Sequence, residues 1–145
     1  MIDKAGLSIF VATTAYLFLK MFANTGAQAA GRLRYKSYKY REDEPFFGTK
    51  FDEQPPQPEY LTRAEGAWRN DLENIPIFLF AALCGLLSGL PLGTYKALCI
   101  AFCAARTLHT VFLLSGLQPW RFICYFVGVV STGAMFATSL HALGW

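Results

Sequence analysis

Apolar residues gather into four long stretches along the 145-residue chain. The first runs from Ala5 to Ala30 with Lys20 as its only charge, and the second from Ile75 to Leu90. The third, Thr94 to Leu114, carries Lys96, Arg106 and His109, and the fourth runs from Phe122 to Trp145. A helix needs about 20 residues to cross roughly 30 Å of hydrocarbon. The second stretch alone is too short, so its helix must begin before Ile75 and project from the membrane. The pattern predicts an all-α, integral membrane four-helix bundle in one domain spanning 1–145. Its helices cover about 5–35, 62–90, 94–114 and 119–143, with a polar loop over about 36–61. A membrane barrel would need many alternating segments of about ten residues, and none is present.

Within the loop, Gly31 to Arg41 is basic and tyrosine-rich and is expected to prolong the first helix. Glu42 to Glu59 holds Pro45, Pro55, Pro56 and Pro58 and reads as irregular surface chain. Thr62 with Glu65 three residues on has the form of a capping box. Gly85 and Gly89, four apart, are expected to admit a neighbouring helix closely.

Composition agrees with the membrane reading. Hydrophobic residues make up 54% and charged residues 16%, with a mean hydropathy of +0.31. Soluble domains average about 45–50% apolar and about 25% charged. Disorder as the main state is excluded on the same ground. The net charge of +3 includes no basic patch suited to nucleic acid. Cys84, Cys99, Cys103 and Cys124 all lie in apolar runs, as small buried hydrophobes rather than a disulfide framework or a metal site. The N-terminal apolar region is too long for an ordinary signal peptide, and a basic flank follows it. Seven basic residues lie between Arg32 and Arg63, and none between Ser88 and Gly93. The positive-inside rule therefore places the long loop and Arg121 on the cytoplasmic side.

Nine of the ten acids fall between Glu42 and Glu73. The densest polar cluster, Arg69-Asn70-Asp71-Leu72-Glu73-Asn74, leads into Ile75-Pro76. Arg69 and Glu73 are four apart on one helix face with Asn70. The cluster is either a solvated helix end with one ion pair or a polar site at the membrane boundary. In the second case Arg69 suits a carboxylate and Glu73 an ammonium. Pro76 removes one helical hydrogen bond. Arg106 and His109 share a face of the third helix. An arginine deep in an apolar helix needs an acid, a carbonyl or water, and the acids the chain offers are Glu73, Asp71 and those of the loop. Arg121 opens the fourth helix beside Trp120, as an interface anchor or a site residue, with Tyr125 one turn on. Arg32 and Arg34 can also serve as anchors, and Lys20 is expected to snorkel to the headgroups. No serine–histidine–acid pattern, phosphate-binding glycine loop or three-histidine set is found. The collected groups suit an anionic ligand bearing one ammonium.

The run Arg69 to Pro76 resembles the signature of the MAPEG family, membrane-associated proteins in eicosanoid and glutathione metabolism. So do Ala105-Arg106-Thr107-Leu108-His109-Thr110-Val111, Gly31-Arg32-Leu33-Arg34 and Pro119-Trp120-Arg121. The long first loop is similar to the microsomal glutathione transferase and prostaglandin E synthase branch. The resemblance implies a homotrimer with glutathione bound between subunits near the cytoplasmic side. It assigns glutathione contacts to Arg32, Arg69, Asn70, Glu73, His109, Arg121 and Tyr125, thiolate stabilisation to Arg121, and a catalytic role to Asp43. Two positions depart from the isomerase pattern: Leu113 stands for a tyrosine and Phe122 for a serine. The implied activity is conjugation of glutathione to hydrophobic electrophiles, with reduction of lipid hydroperoxides beside it. The implied membrane is of endoplasmic-reticulum or bacterial inner-membrane type. Alternatives are a prostaglandin E synthase-like isomerase and a non-enzymatic lipid-binding scaffold. A small channel or transporter subunit would show inverted repeats or broken helices.

Overall fold

A computed structural model describes residues 3–145 as a bundle of four long helices joined by one folded loop and two short turns. Helix α1 spans Lys4–Tyr35, α3 Glu59–Leu87, α4 Leu92–Leu114 and α5 Trp120–Ala142, while α2, Glu44–Phe47, is a single turn within the loop. All four long helices are long and apolar enough to cross a membrane. Helix α3 begins 16 residues before Ile75, about 24 Å of helix ahead of the apolar run.

Local signals set the ends. Asp3 caps α1, its carboxylate accepting from the backbone of Ala5 at 3.2 Å and Gly6 at 3.0 Å. The helix stops at Tyr35, because Lys36 turns left-handed at φ 50°; Gly31 to Arg41 does not prolong it throughout. The capping box at Thr62 is not used. Pro58 precedes the first turn of α3, Thr62 lies inside the helix, and the Glu65 carboxylate is taken by Arg32 and Lys39 at 2.9 and 3.0 Å. Proline at the entry has no helical hydrogen bond to lose, so the chain starts earlier than the hydroxyl signal suggested. Helix α3 then runs through Pro76 without a break.

The loop is more ordered than its prolines suggested. Short 3-10 turns form at Arg41–Asp43 and Phe51–Glu53 around α2. Tyr38 is buried, stacks on Phe47 at 4.8 Å and meets Phe51 edge-on at 5.9 Å. Its hydroxyl donates to the Thr49 carbonyl, its backbone N–H donates to Gln54 at 2.9 Å, and Arg41 grips both oxygens of Asp52 at 3.1 Å. An aromatic centre and these bonds give the segment its own small core.

Helices α3 and α4 each pack on all the other long helices. Leu17, Ile75, Phe78, Tyr95, Phe102 and Met135 form the centre, with the Phe78 and Phe102 rings stacked 3.7 Å apart. The buried stripe of α3 also carries Ala64, Ala67, Ala81, Ala82 and Gly85. Small residues let helix backbones approach where lipid gives no hydrophobic driving force. A Cβ on Gly85 would lie 2.9 Å from the Met135 sulfur and 2.8 Å from Leu90 Cδ1. Gly89 has a different role: it follows the end of α3 at φ 73°, with nothing within 4 Å of a Cβ, and its left-handed turn closes the helix. The cysteines are free, and Cys84 is exposed on the bundle surface rather than buried.

Candidate functional site

Lys20 does not snorkel. Its ammonium points inward and pairs with Asp71, whose side chain is fully buried. Asp71 also accepts from Arg106 at 2.9 Å, so the partner of Arg106 is Asp71, not Glu73. Lys20 further donates to Thr110 at 2.6 Å, and Arg106 to the Asn70 side-chain oxygen. A cation in low-dielectric surroundings is retained where an anion and hydrogen bonds compensate it. Helices α1, α3 and α4 are thereby tied at one level.

Beside this network lies an open cleft of about 350 Å³ between α3, α4 and α5. Helix α3 contributes Gly66 and Asn70, α4 His109 and Leu113, and the α4–α5 turn with α5 Gln118, Arg121, Phe122 and Tyr125. Four residues expected on sequence grounds, Asn70, His109, Arg121 and Tyr125, therefore meet in one place. The periodicity of α4 puts His109 three residues after Arg106 and turns both inward. His109 is buried, its Nδ1 has no partner among the described residues, and its ring centroid lies 6.4 Å from that of Tyr125. Gln118 holds Arg121: with its amide oxygen facing the guanidinium it accepts from Nε at 3.0 Å and Nη2 at 2.5 Å. No carboxylate lines the cleft. Among the described residues Arg121 is thus its one permanent charge, steadied by a neutral acceptor and open to an anion.

The other expected residues lie apart. Arg69 and Glu73 are exposed on α3, and neither forms an ion pair among the described residues, so the expected bond between them is not made. Arg32 is held by Glu65 and lines a separate groove with Gln28, Leu33, Phe46 and Phe47. Asp43 sits in the first 3-10 turn of the loop, away from the cleft lining. Sequence reasoning missed Gln118, Gly66 and Lys20. Gln118 had a signal, since it precedes Pro119-Trp120-Arg121 at the turn that presents Arg121. Lys20 had none, because its partner lies 51 residues away.

The cleft can bind an anion and stabilise developing negative charge. Its walls at Leu113 and Phe122 are apolar, which suits a hydrophobic reactant beside that charge.

Known proteins share this sequence pattern over nearly its full length. The chain is 33% identical over 138 residues to microsomal glutathione S-transferase 1 of Rattus norvegicus, covering 93% of this chain and 89% of that protein. It is also 33% identical over 141 residues to the Mus musculus protein of the same name, with the same coverage. The profile of the MAPEG family matches residues 10–141, a span that holds α3 and α4 whole, most of α1 and α5, and every residue of the cleft. The chain belongs to the MAPEG family.

Proposed function

We propose that the chain is a membrane-bound glutathione transferase that joins the glutathione sulfur to hydrophobic electrophiles, with glutathione-dependent reduction of lipid hydroperoxides as a companion activity. The observation that carries this reading is Arg121, held by Gln118 in a cleft shared with Asn70, His109 and Tyr125. A thiol is a poor nucleophile until ionised, and a fixed cation nearby favours the thiolate. The thiol releases its proton to solvent, the sulfur bonds to the electrophilic carbon, and the leaving group departs. Arginine keeps its own proton, so Arg121 acts as an electrostatic stabiliser and not as a base. The relatives named microsomal glutathione S-transferase 1 support the same chemistry. Leu113 and Phe122, the two departures from the isomerase pattern, both line the cleft. They favour a general transferase over an isomerase with polar groups at those positions.

The reading includes a homotrimer in the membrane, with glutathione between subunits on the cytoplasmic side. Its support is a second stripe on α3. Gly66, Arg69, Glu73, Pro76, Phe80, Leu83 and Leu87 are all exposed, and they recur in alternating steps of three and four. That is the spacing of a helix seam that meets copies of itself. Arg69 and Glu73 stand on the stripe without ion-pair partners among the described residues, open to a carboxylate and an ammonium of a ligand bound at a subunit boundary. Arg32 and Asp43 join the site only if the loop of one copy adjoins the cleft of its neighbour.

The test is turnover by detergent-purified protein with chlorodinitrobenzene and with cumene hydroperoxide, alongside calorimetry of glutathione binding. The reading requires binding and turnover. Absence of glutathione binding would favour the lipid-binding scaffold instead.

A further inference from the structure

The bonds around Asp71 lead from α1 into the cleft. One carboxylate oxygen, Oδ2, accepts from Lys20 Nζ of α1, and the other, Oδ1, accepts from Arg106 Nη2 of α4 at 2.9 Å. Both oxygens are therefore held, each by a different helix. Lys20 is anchored further by Thr110, whose hydroxyl in turn donates to the Arg106 carbonyl at 3.2 Å. The same Arg106 Nη2 donates to Asn70 Oδ1, and Asn70 lines the cleft. Arg106 makes no other side-chain bond among the described residues, since its Nε and Nη1 are buried without partners.

A guanidinium has donors and no acceptor. The Asn70 oxygen must therefore face Arg106, and its amide NH₂ is turned the other way. An unrestrained asparagine can exchange the two ends of its amide by rotating; here a buried cation decides between them. The cation is itself fixed by Asp71, and Asp71 by Lys20. Burying two cations and one anion is an uneconomical way to stabilise a bundle, because apolar residues of similar volume often do as well. Such a network is more useful for setting one orientation.

We propose that Lys20 is a positioning residue for the cleft, acting through Asp71 and Arg106 to fix the Asn70 amide so that its NH₂ group meets a carboxylate or peptide carbonyl oxygen of the ligand. This rests on the cleft being the glutathione site. Lys20 is not part of the cleft lining, so its effect on binding must be indirect.

The test is a double-mutant cycle of Lys20→Met and Asn70→Ala, read by calorimetry of glutathione binding to the full-length protein in detergent. Lys20→Met alone is expected to weaken binding roughly five- to tenfold, the scale of one ordinary hydrogen bond. In the Asn70→Ala background it should weaken binding no further. Lys20→Arg, which keeps a charged donor, should restore much of the affinity. A purely structural Lys20 would lower the melting temperature in both backgrounds and show no coupling in binding. If Lys20→Met does not fold, Lys20→Gln gives the same cycle with a donor kept and the charge removed. Unchanged binding in Lys20→Met, or an equal loss in both backgrounds, overturns the proposal. A second readout needs no ligand: the side-chain amide ¹⁵N signals of Asn70, identified by their loss in Asn70→Ala, should be sharp in the wild type and shifted or broadened in Lys20→Met. If the wild-type protein binds no glutathione, the functional reading fails. The amide signals then still decide whether Lys20 orients Asn70, and unchanged signals reject it.

Discussion

Arg106 on α4 lies 2.9 Å from Asp71 on α3, and the two side chains are 1% and 0% exposed. Breaking a buried ion pair by removing one member is costly because the other charge stays behind. Asp71→Leu strands both Lys20 and Arg106, and the expected loss is about 3–5 kcal/mol or more. Thermal unfolding of the detergent-purified protein checks this. Arg69→Gln and Glu73→Gln change exposed groups that form no ion pair among the described residues, and should barely move the melting temperature. Equal shifts in all three variants would contradict the assignment of Asp71 as the charge centre of the bundle.

Arg121 and Glu73 should separate kinetically. A charge that binds glutathione's own carboxylates or amine acts equally in the ground and transition states. Glu73→Gln is therefore expected to raise the KM for glutathione with little change in kcat. Arg121→Leu removes a donor at the sulfur and should lower kcat about a hundred- to thousandfold. Steady-state kinetics at saturating electrophile distinguish the two. A pure KM effect in Arg121→Leu would move the activating role elsewhere.

The long helices were legible in the sequence because apolar runs set their length. Their exact ends were less so: Lys36, Pro58 and Gly89 set three of them, where a prolonged first helix, a cap at Thr62 and a packing glycine were expected. The cleft was partly legible too. His109 and Arg106 share a face by spacing alone, and Arg121 and Tyr125 sit one turn apart. What failed depends on pairings between distant segments. Lys20 reads as a snorkelling residue until Asp71 is brought to it, and the pairing of Arg32 with Glu65, 33 residues on, has no local signal. Thr62 and Glu65 have the spacing of a cap, but a salt-bridge pair outside the helix claims the glutamate. The loop core around Tyr38 needs Phe47, Phe51 and Gln54 together, and proline content hides it.

The exposed stripe on α3 makes a prediction about assembly. Phe80→Lys places a charge in the middle of the seam, where a lipid-facing or subunit-facing lysine is costly. Native mass spectrometry should show loss of the trimer, whereas Val130→Lys, on the outer face of α5, should leave trimers among the protein that inserts. Trimers in Phe80→Lys at wild-type abundance would exclude α3 as the meeting helix.

Gly85 should not accept a larger side chain. A Cβ there already falls within 3.0 Å of Met135 and Leu90 atoms, so Gly85→Val overpacks the α3–α5 contact. The expected cost is about 1–3 kcal/mol, read from thermal unfolding. A paired Met135→Ala substitution should recover part of it by making room.

The central claim is that Arg121 holds bound glutathione as a thiolate, and the ultraviolet thiolate absorbance of the protein titrated with glutathione at neutral pH measures this directly. The account predicts a saturable thiolate signal in the wild type and its loss in Arg121→Leu, with the variant still folded and still binding glutathione by calorimetry. A wild-type complex without that absorbance, or an Arg121→Leu complex that keeps it in full, would contradict the account.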